Sequence, residues 1–344
     1  MHRTLIITLH LLFALPMLAQ QSTWEPMNRG LLHTLVYTIE IDPGDSLRMY
    51  CGTDYGNIYV TTDGGFNWQL SREGIPENYS KEYVSALHRD RRDARILYAG
   101  FGGREAKENL FMSSDAGAHW QQLSVAGEMA KGGILHILRL HTSPPRLLCG
   151  LGWYNGIMLK RDSDVQWNRV LTNDGIQVIA THHEAPEILL AGSSFGRVLL
   201  RSVDGGDSWA KTVDGMAGLN SSSGVRAISF SPSQPRVVYV SVTGAGCGLH
   251  RSTDSGVTWT RLNTVGEISE IAIHPSDERL IYISAIGSGV WRTRDGGATW
   301  AKVNDGLPTT DIMRVRIAPG YPVRVFAVTL RHGMFRLVDE EIPE

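Results

Sequence analysis

Residues 268–300 read ISEIAIHPSDERLIYISAIGSGVWRTRDGGATW, and their pattern decides the fold. ISEIAIHPSD alternates apolar and polar side chains before a proline turn, RLIYISA is β-branched and aromatic, GVWRT leads into a glycine turn, and ATWAKV resumes after it. Alternation with a period of two gives each run one face for a core, so this stretch predicts four short strands. No helical period competes with it.

The turn that ends the stretch recurs. Ser or Thr, any residue, Asp, any residue, Gly, two residues and Trp appear as TTDGGFNW (61–68), SSDAGAHW (113–120), SVDGGDSW (202–209), STDSGVTW (252–259) and TRDGGATW (293–300). A sixth copy, KRDSDVQW (160–167), keeps Asp162 and Trp167 but has Lys160 and Asp164 where the hydroxyl and the glycine belong. A seventh stops at Asp339, and successive aspartates lie 41 to 52 residues apart. That period suits a four-stranded unit repeated around a ring. Within each copy the aspartate (Asp63, Asp115, Asp162, Asp204, Asp254, Asp295) can accept N–H groups of the hairpin that follows, with the hydroxyl assisting and the glycine allowing positive φ. The tryptophan (Trp68, Trp120, Trp167, Trp209, Trp259, Trp300) offers a large apolar face between sheets. Repetition argues for scaffold here, since catalysis needs one site and not six.

Outside the repeat, 42% hydrophobic and 20% charged residues in 344 describe a folded globular chain. A net charge of −2 provides no field for nucleic acid or an anionic membrane. His2 and Arg3 precede an uncharged run from Leu5 to Leu18, so residues 1–20 read as a signal peptide and residues 21–344 as one exported propeller domain, secreted or periplasmic. That run is too short to span a bilayer. Cys51, Cys149 and Cys247 lack the spacing of a disulfide framework or zinc site and read as small buried residues. The seventh repeat lacks its fourth strand and tryptophan, whereas Trp24 is followed six residues later by Gly30, as Trp68 is by Gly74 and Trp300 by Gly306. The expected fold is therefore all-β, seven four-stranded antiparallel units, which the resemblance given next makes the blades of a seven-bladed β-propeller. Residues 23–29 are expected to pair antiparallel with residues 333–338 and close it.

On these turns, and on the strand sequence quoted first, the chain resembles Asp-box, or BNR-repeat, β-propellers of the sortilin and xyloglucanase type. The resemblance implies that the boxes join the third and fourth strands of each blade, away from the ligand face. Sialidases share the box but carry an early Arg-Ile-Pro motif, which is missing here. Xyloglucan-degrading enzymes pair two propellers across a cleft with one catalytic Asp on each, and this chain has residues for one. Photosystem II assembly propellers are weaker relatives, with more Gly-Trp before the box, and sortilin domains have ten blades.

Ligands of propellers bind the face opposite such turns. The loops assigned there carry Asp54, Tyr55, Phe101, Arg104, Trp153, Tyr154 and Phe195. Aromatic rings among Asn, Arg and Asp suit stacking on sugars or gripping a peptide, so the expected ligand is a glycan or a protein. The alternative is a glycoside hydrolase, for which two carboxylates must face each other; Asp54, Glu82, Glu105, Glu108 and Asp311 are the acids on this face. His182-His183-Glu184 reads as an ordinary turn, because neighbouring strand residues point to opposite faces. Arg139, Arg226, Arg314 and Arg316 lie on inner strands, where an inward arginine would hold an anion. Nothing calls for a cofactor or metal, and a monomer is expected.

Overall fold

The structure is a computed structural model and describes residues 23–103, 109–123, 133–194, 199–262 and 266–339. The segment read as a signal peptide lies outside the described residues. Seven antiparallel sheets of four strands form a β-propeller. The stretch quoted first is the sixth blade, with strands Ile268–His274, Asp277–Ala285, Gly289–Thr293 and Ala301–Lys302. Blades I to VII begin with the inner strands Val36–Asp42, Tyr83–Arg89, Ile134–Leu140, Ile176–His182, Gly224–Phe230, Ile268–His274 and Ile312–Ala318. Neighbouring inner strands pack side by side, and the first packs on the last. Apolar side chains bury between blades: Tyr50 and Ile58 of blade I share a core with Val84, Leu97 and Phe111 of blade II. Among the described residues no helix is long and apolar enough to cross a membrane.

The chain closes the ring as expected from Trp24. Glu25 and Pro26 pair antiparallel with Arg336 and Phe335, so blade VII takes its outer strand from the other end of the chain. Regular pairing covers two residues, and side chains extend it. Asn28 accepts the Met334 N–H at 2.8 Å and donates to the His332 carbonyl at 3.0 Å, and Met27 N–H donates to the Met334 carbonyl at 2.9 Å. Trp24 is buried with Tyr282, Val325 and Leu337, its indole donating to the Val303 carbonyl at 2.6 Å.

The Trp-to-Gly spacing of six also acquires a reason. The carbonyl before each glycine accepts the N–H of a tryptophan on the next blade: Arg29 from Trp68, Glu73 from Trp120, Asp214 from Trp259 and, across the closure, Asp305 from Trp24, all at 2.8 to 2.9 Å. At Gly74 a Cβ would lie 2.0 Å from the Trp120 carbonyl oxygen, and φ is +89°, so only glycine lets the chains approach this closely.

In the turn TTDGGFNW, Thr61 Oγ1 donates to Asp63 Oδ1 at 2.7 Å and accepts the Gly65 N–H at 3.0 Å. Asp63 accepts the Asn67 N–H at 3.0 Å on one oxygen and the Asn67 side-chain amide at 2.7 Å on the other. His119, Ser208, Thr258 and Thr299 supply the second donor in the other four complete turns. Sequence reading missed this partner because these side chains share only a polar hydrogen. Two copies depart. Asp162 leaves its turn and forms a two-pronged ion pair with Arg139, at 2.6 and 2.5 Å, which corrects the reading of Asp162 as a turn acceptor. Asp164 takes over, accepting the Arg161 N–H at 3.1 Å. Asp339 is buried and accepts the Tyr282 hydroxyl, Arg292 at 2.7 Å and Arg294 at 3.0 Å, joining blades VI and VII.

Candidate functional site

Loops between second and third strands, and crossings between blades, share the face opposite the repeated turns. In blade I the Thr53 N–H closes the loop on the Asn57 carbonyl at 2.9 Å, and the Gly56 N–H ties it to the Glu82 carbonyl at 2.7 Å. Blade III repeats the device: Leu151 N–H bonds the Gly156 carbonyl at 2.9 Å, and Gly156 N–H bonds the Asp174 carbonyl at 2.7 Å. The residues left at the tips are Tyr55 (φ 57°, 52% exposed) and Trp153 (φ 59°, 67% exposed), with Tyr154 beside it at 66%. A bulky residue at positive φ costs on the order of 1–3 kcal/mol, so these tips are held by the bonds around them. His33 stacks against Tyr55 at 4.5 Å between ring centroids.

The other expected ligand residues divide. Phe101 is fully buried, edge-on to Tyr79 and Phe111 at 5.0 and 5.2 Å, and offers no ring to the loop face. The correction is one of pleat, since its strand, Leu97–Gly102, runs on through the residue taken as loop. Asp54 is half-buried, and burial pushes its carboxyl above the ordinary carboxylate value, with His33 opposing. Arg104 and Phe195, with Glu105 and Glu108, lie outside the described residues. Of the remaining acids, Glu82 is buried against Gly103 and Asp311 is half-buried.

At the axis the structure sets Arg226 and Arg314, two of the inner-strand arginines, among residues that the sequence did not mark. Each inner strand has a bulge near its start, with one unpaired residue: Tyr37, Ser85, Leu135, Gln177, Arg226, Ser269 and Met313 in order around the ring. An extra residue turns the pleat locally, and these seven, with Tyr83 and Arg314, ring a cavity of about 240 Å³ at the channel mouth. Tyr37 and Tyr83 stack there at 4.6 Å. Arg314 and Arg316 both reach Glu270, at 3.0 and 2.9 Å, so the two arginines expected on one side do share a partner. Arg226 has no ion pair or hydrogen bond among the described residues. Deeper in, burial and then His136 push His88 down to about 3, and burial and then Arg314 push His136 down to about 3, so both imidazoles are neutral.

Other candidates resolve locally. Arg139 is spent on Asp162. His182 accepts the Glu184 N–H at 3.1 Å, as a turn residue does. Cys51 and Cys149 are buried and Cys247 is half-buried.

No protein-family model matches the chain. It is similar to a xyloglucanase of Hypocrea jecorina, 24% identical over 172 residues that cover 43% of this chain and 20% of that protein. It is also similar to xyloglucanase Xgh74A of Acetivibrio thermocellus, 34% identical over 101 residues, 23% of this chain and 12% of that protein. The matches thus span a fifth or less of either relative. Among solved structures it is similar to YCF48 from Cyanidioschyzon merolae, with TM-score 0.67 and 16% identity over 93% of this chain and all of the other. YCF48 bound to D1 peptide gives TM-score 0.67 and 14% identity over 93% and 97%. The extracellular domain of BT4673 from B. thetaiotaomicron gives 0.67 and 12% over 91% and 39%. At these identities the structural likenesses establish the propeller fold, with distant sequence similarity to xyloglucanases beside it.

Proposed function

We propose that this chain is an exported Asp-box propeller that works as a binding or scaffolding module, holding a protein or peptide segment on its loop face. The carrying observation is that Tyr55, Trp153 and Tyr154 are kept in solvent on hydrogen-bonded, left-handed loop tips. Exposed aromatic rings on stiff loops give contact area with little ordering cost. The unpaired Arg226 at the channel mouth adds donors for backbone carbonyls or a carboxylate. That one structural neighbour is a complex with a peptide agrees with this reading.

A second reading, a polysaccharide hydrolase or a glycan-binding relative of one, draws on the xyloglucanase similarity. Peptide and glycan arrays probed with residues 21–344 separate the two, together with a reducing-end assay on xyloglucan. Peptide capture that falls about thirtyfold in Trp153→Ala or Tyr154→Ala, which corresponds to about 2 kcal/mol, with an unchanged melt, is the expected result. Xyloglucan cleavage abolished by Asp54→Asn would overturn it.

A further inference from the structure

The seam between blades II and III meets the incomplete turn of blade III, in which Asp164 stands at the glycine position. In complete turns the glycine presses on the preceding blade: a Cβ at Gly117 would lie 3.3 Å from the Tyr50 ring, at Gly206 2.7 Å from Leu148, and at Gly256 2.8 Å from Leu190. Second-strand tyrosines use this closeness. Tyr50 donates to the Ala116 carbonyl at 3.1 Å and Tyr239 to the Gly296 carbonyl at 3.2 Å, each on the next blade's turn. Tyr98 is the corresponding residue of blade II, opposite a turn in which Asp164 replaces the glycine. A groove of about 540 Å³ lies at this seam, and one of about 360 Å³ lies at the seam between blades V and VI, where the turn is complete and Tyr239 is bonded.

The groove holds three polar groups without a hydrogen-bond partner among the described residues. Tyr98 is 95% buried (5% exposed), lines the groove, and its hydroxyl has no hydrogen-bond partner among the described residues. The Trp167 indole N–H and the Lys160 ammonium line it too and have no hydrogen-bond partner among the described residues, like the buried indole N–H of Trp259, whereas the indoles of Trp209 and Trp300 are bonded to carbonyls of their own turns. Arg139 is paired with Asp162 and lies 3.9 Å from Asp90, which leaves Lys160 as the cation of the lining without an ion pair within 4 Å among the described residues. Met112 and Leu147 provide an apolar lining. Three free donors, one of them cationic, beside an apolar surface match one ligand chemistry.

We infer that the seam between blades II and III is a second binding groove, on the turn face, for a peptide segment that carries a carboxylate beside an apolar side chain. The carboxylate meets Lys160, Trp167 Nε1 and the Tyr98 hydroxyl, and the apolar neighbour covers Met112 and Leu147.

The test is an array of terminally blocked hexapeptides in which each apolar residue adjoins Asp or Glu, printed beside their Asn and Gln counterparts, with a glycan array in parallel. Acidic peptides should bind at least tenfold more tightly than the amides. Binding should drop at least tenfold in Lys160→Gln and threefold in Tyr98→Phe, and be unchanged in Trp153→Ala, which separates this groove from the loop face. The double variant Lys160→Ser/Asp164→Gly rebuilds the complete turn, and it should lose binding while melting no lower than the parent. Equal binding of amides and acids, capture of glycans only, no capture at all, or full binding by the rebuilt or the Lys160→Gln protein would each overturn the inference.

Discussion

Asp63 and its counterparts in the complete turns have both carboxylate oxygens engaged, one by a backbone N–H and one by the side chain just before the tryptophan. Removing such an acceptor leaves turn donors unmatched, so Asp204→Ala should lower stability by about 1 to 3 kcal/mol in urea melts. Asp162→Ala should cost less, about 0 to 1 kcal/mol, because its carboxylate is half exposed and the mostly buried Arg139 keeps Asp90 at 3.9 Å. Equal losses at the two positions would contradict this account. The contrast was half legible in the sequence: Lys160 and Asp164 mark the sixth copy as irregular, but nothing in eight letters says that Asp162 turns to an arginine 23 residues upstream.

At the scale of single elements, the outer strand of blade VII is a short segment carrying one large anchor. Trp24 fills the position that the tryptophan of a repeated turn fills elsewhere, buried and bonded through both its N–H groups. Trp24→Ala should therefore destabilise by about 3 to 5 kcal/mol, and residues 30–344 alone should aggregate through the uncovered strand Met334–Asp339. A truncated protein that stays monodisperse and melts with the parent would refute it. This element could be read from the Trp-to-Gly spacing. The inner strands could not be read as well, because a bulge in each shifts the alternation by one residue. Tyr37 and Arg226 therefore face the axis at positions that a regular pleat assigns elsewhere, and Phe101 faces the core for want of the break its glycines suggested.

Over the whole molecule, the turn carboxylates act together as a titrating set. The Asn67 side-chain amide, then its N–H, holds Asp63 at about 2, and the His119 N–H, then its ring, holds Asp115 at about 2. An unfolded aspartate titrates near 4. Since the folded values are lower, their stabilisation is complete above about pH 4 and is lost as pH falls from about 4 toward 2. Denaturation midpoints should be level from pH 8 to 5 as far as these groups are concerned, then fall steeply, with the fall shallower in a variant lacking two turn aspartates. The fold was legible because every blade repeats it, whereas the candidate sites occupy places where the repeat breaks or a loop is unique, and pattern carries no information there. Closure by Glu25 and Arg336, 311 positions apart, also sets an order of events. Each blade's inner hairpins form from neighbouring sequence and can fold as they are made, but the segment around Trp24 emerges first and must wait for the last blade. During synthesis the first strand of the ring is the last to be placed, so ring closure should be the final, concentration-independent step of folding.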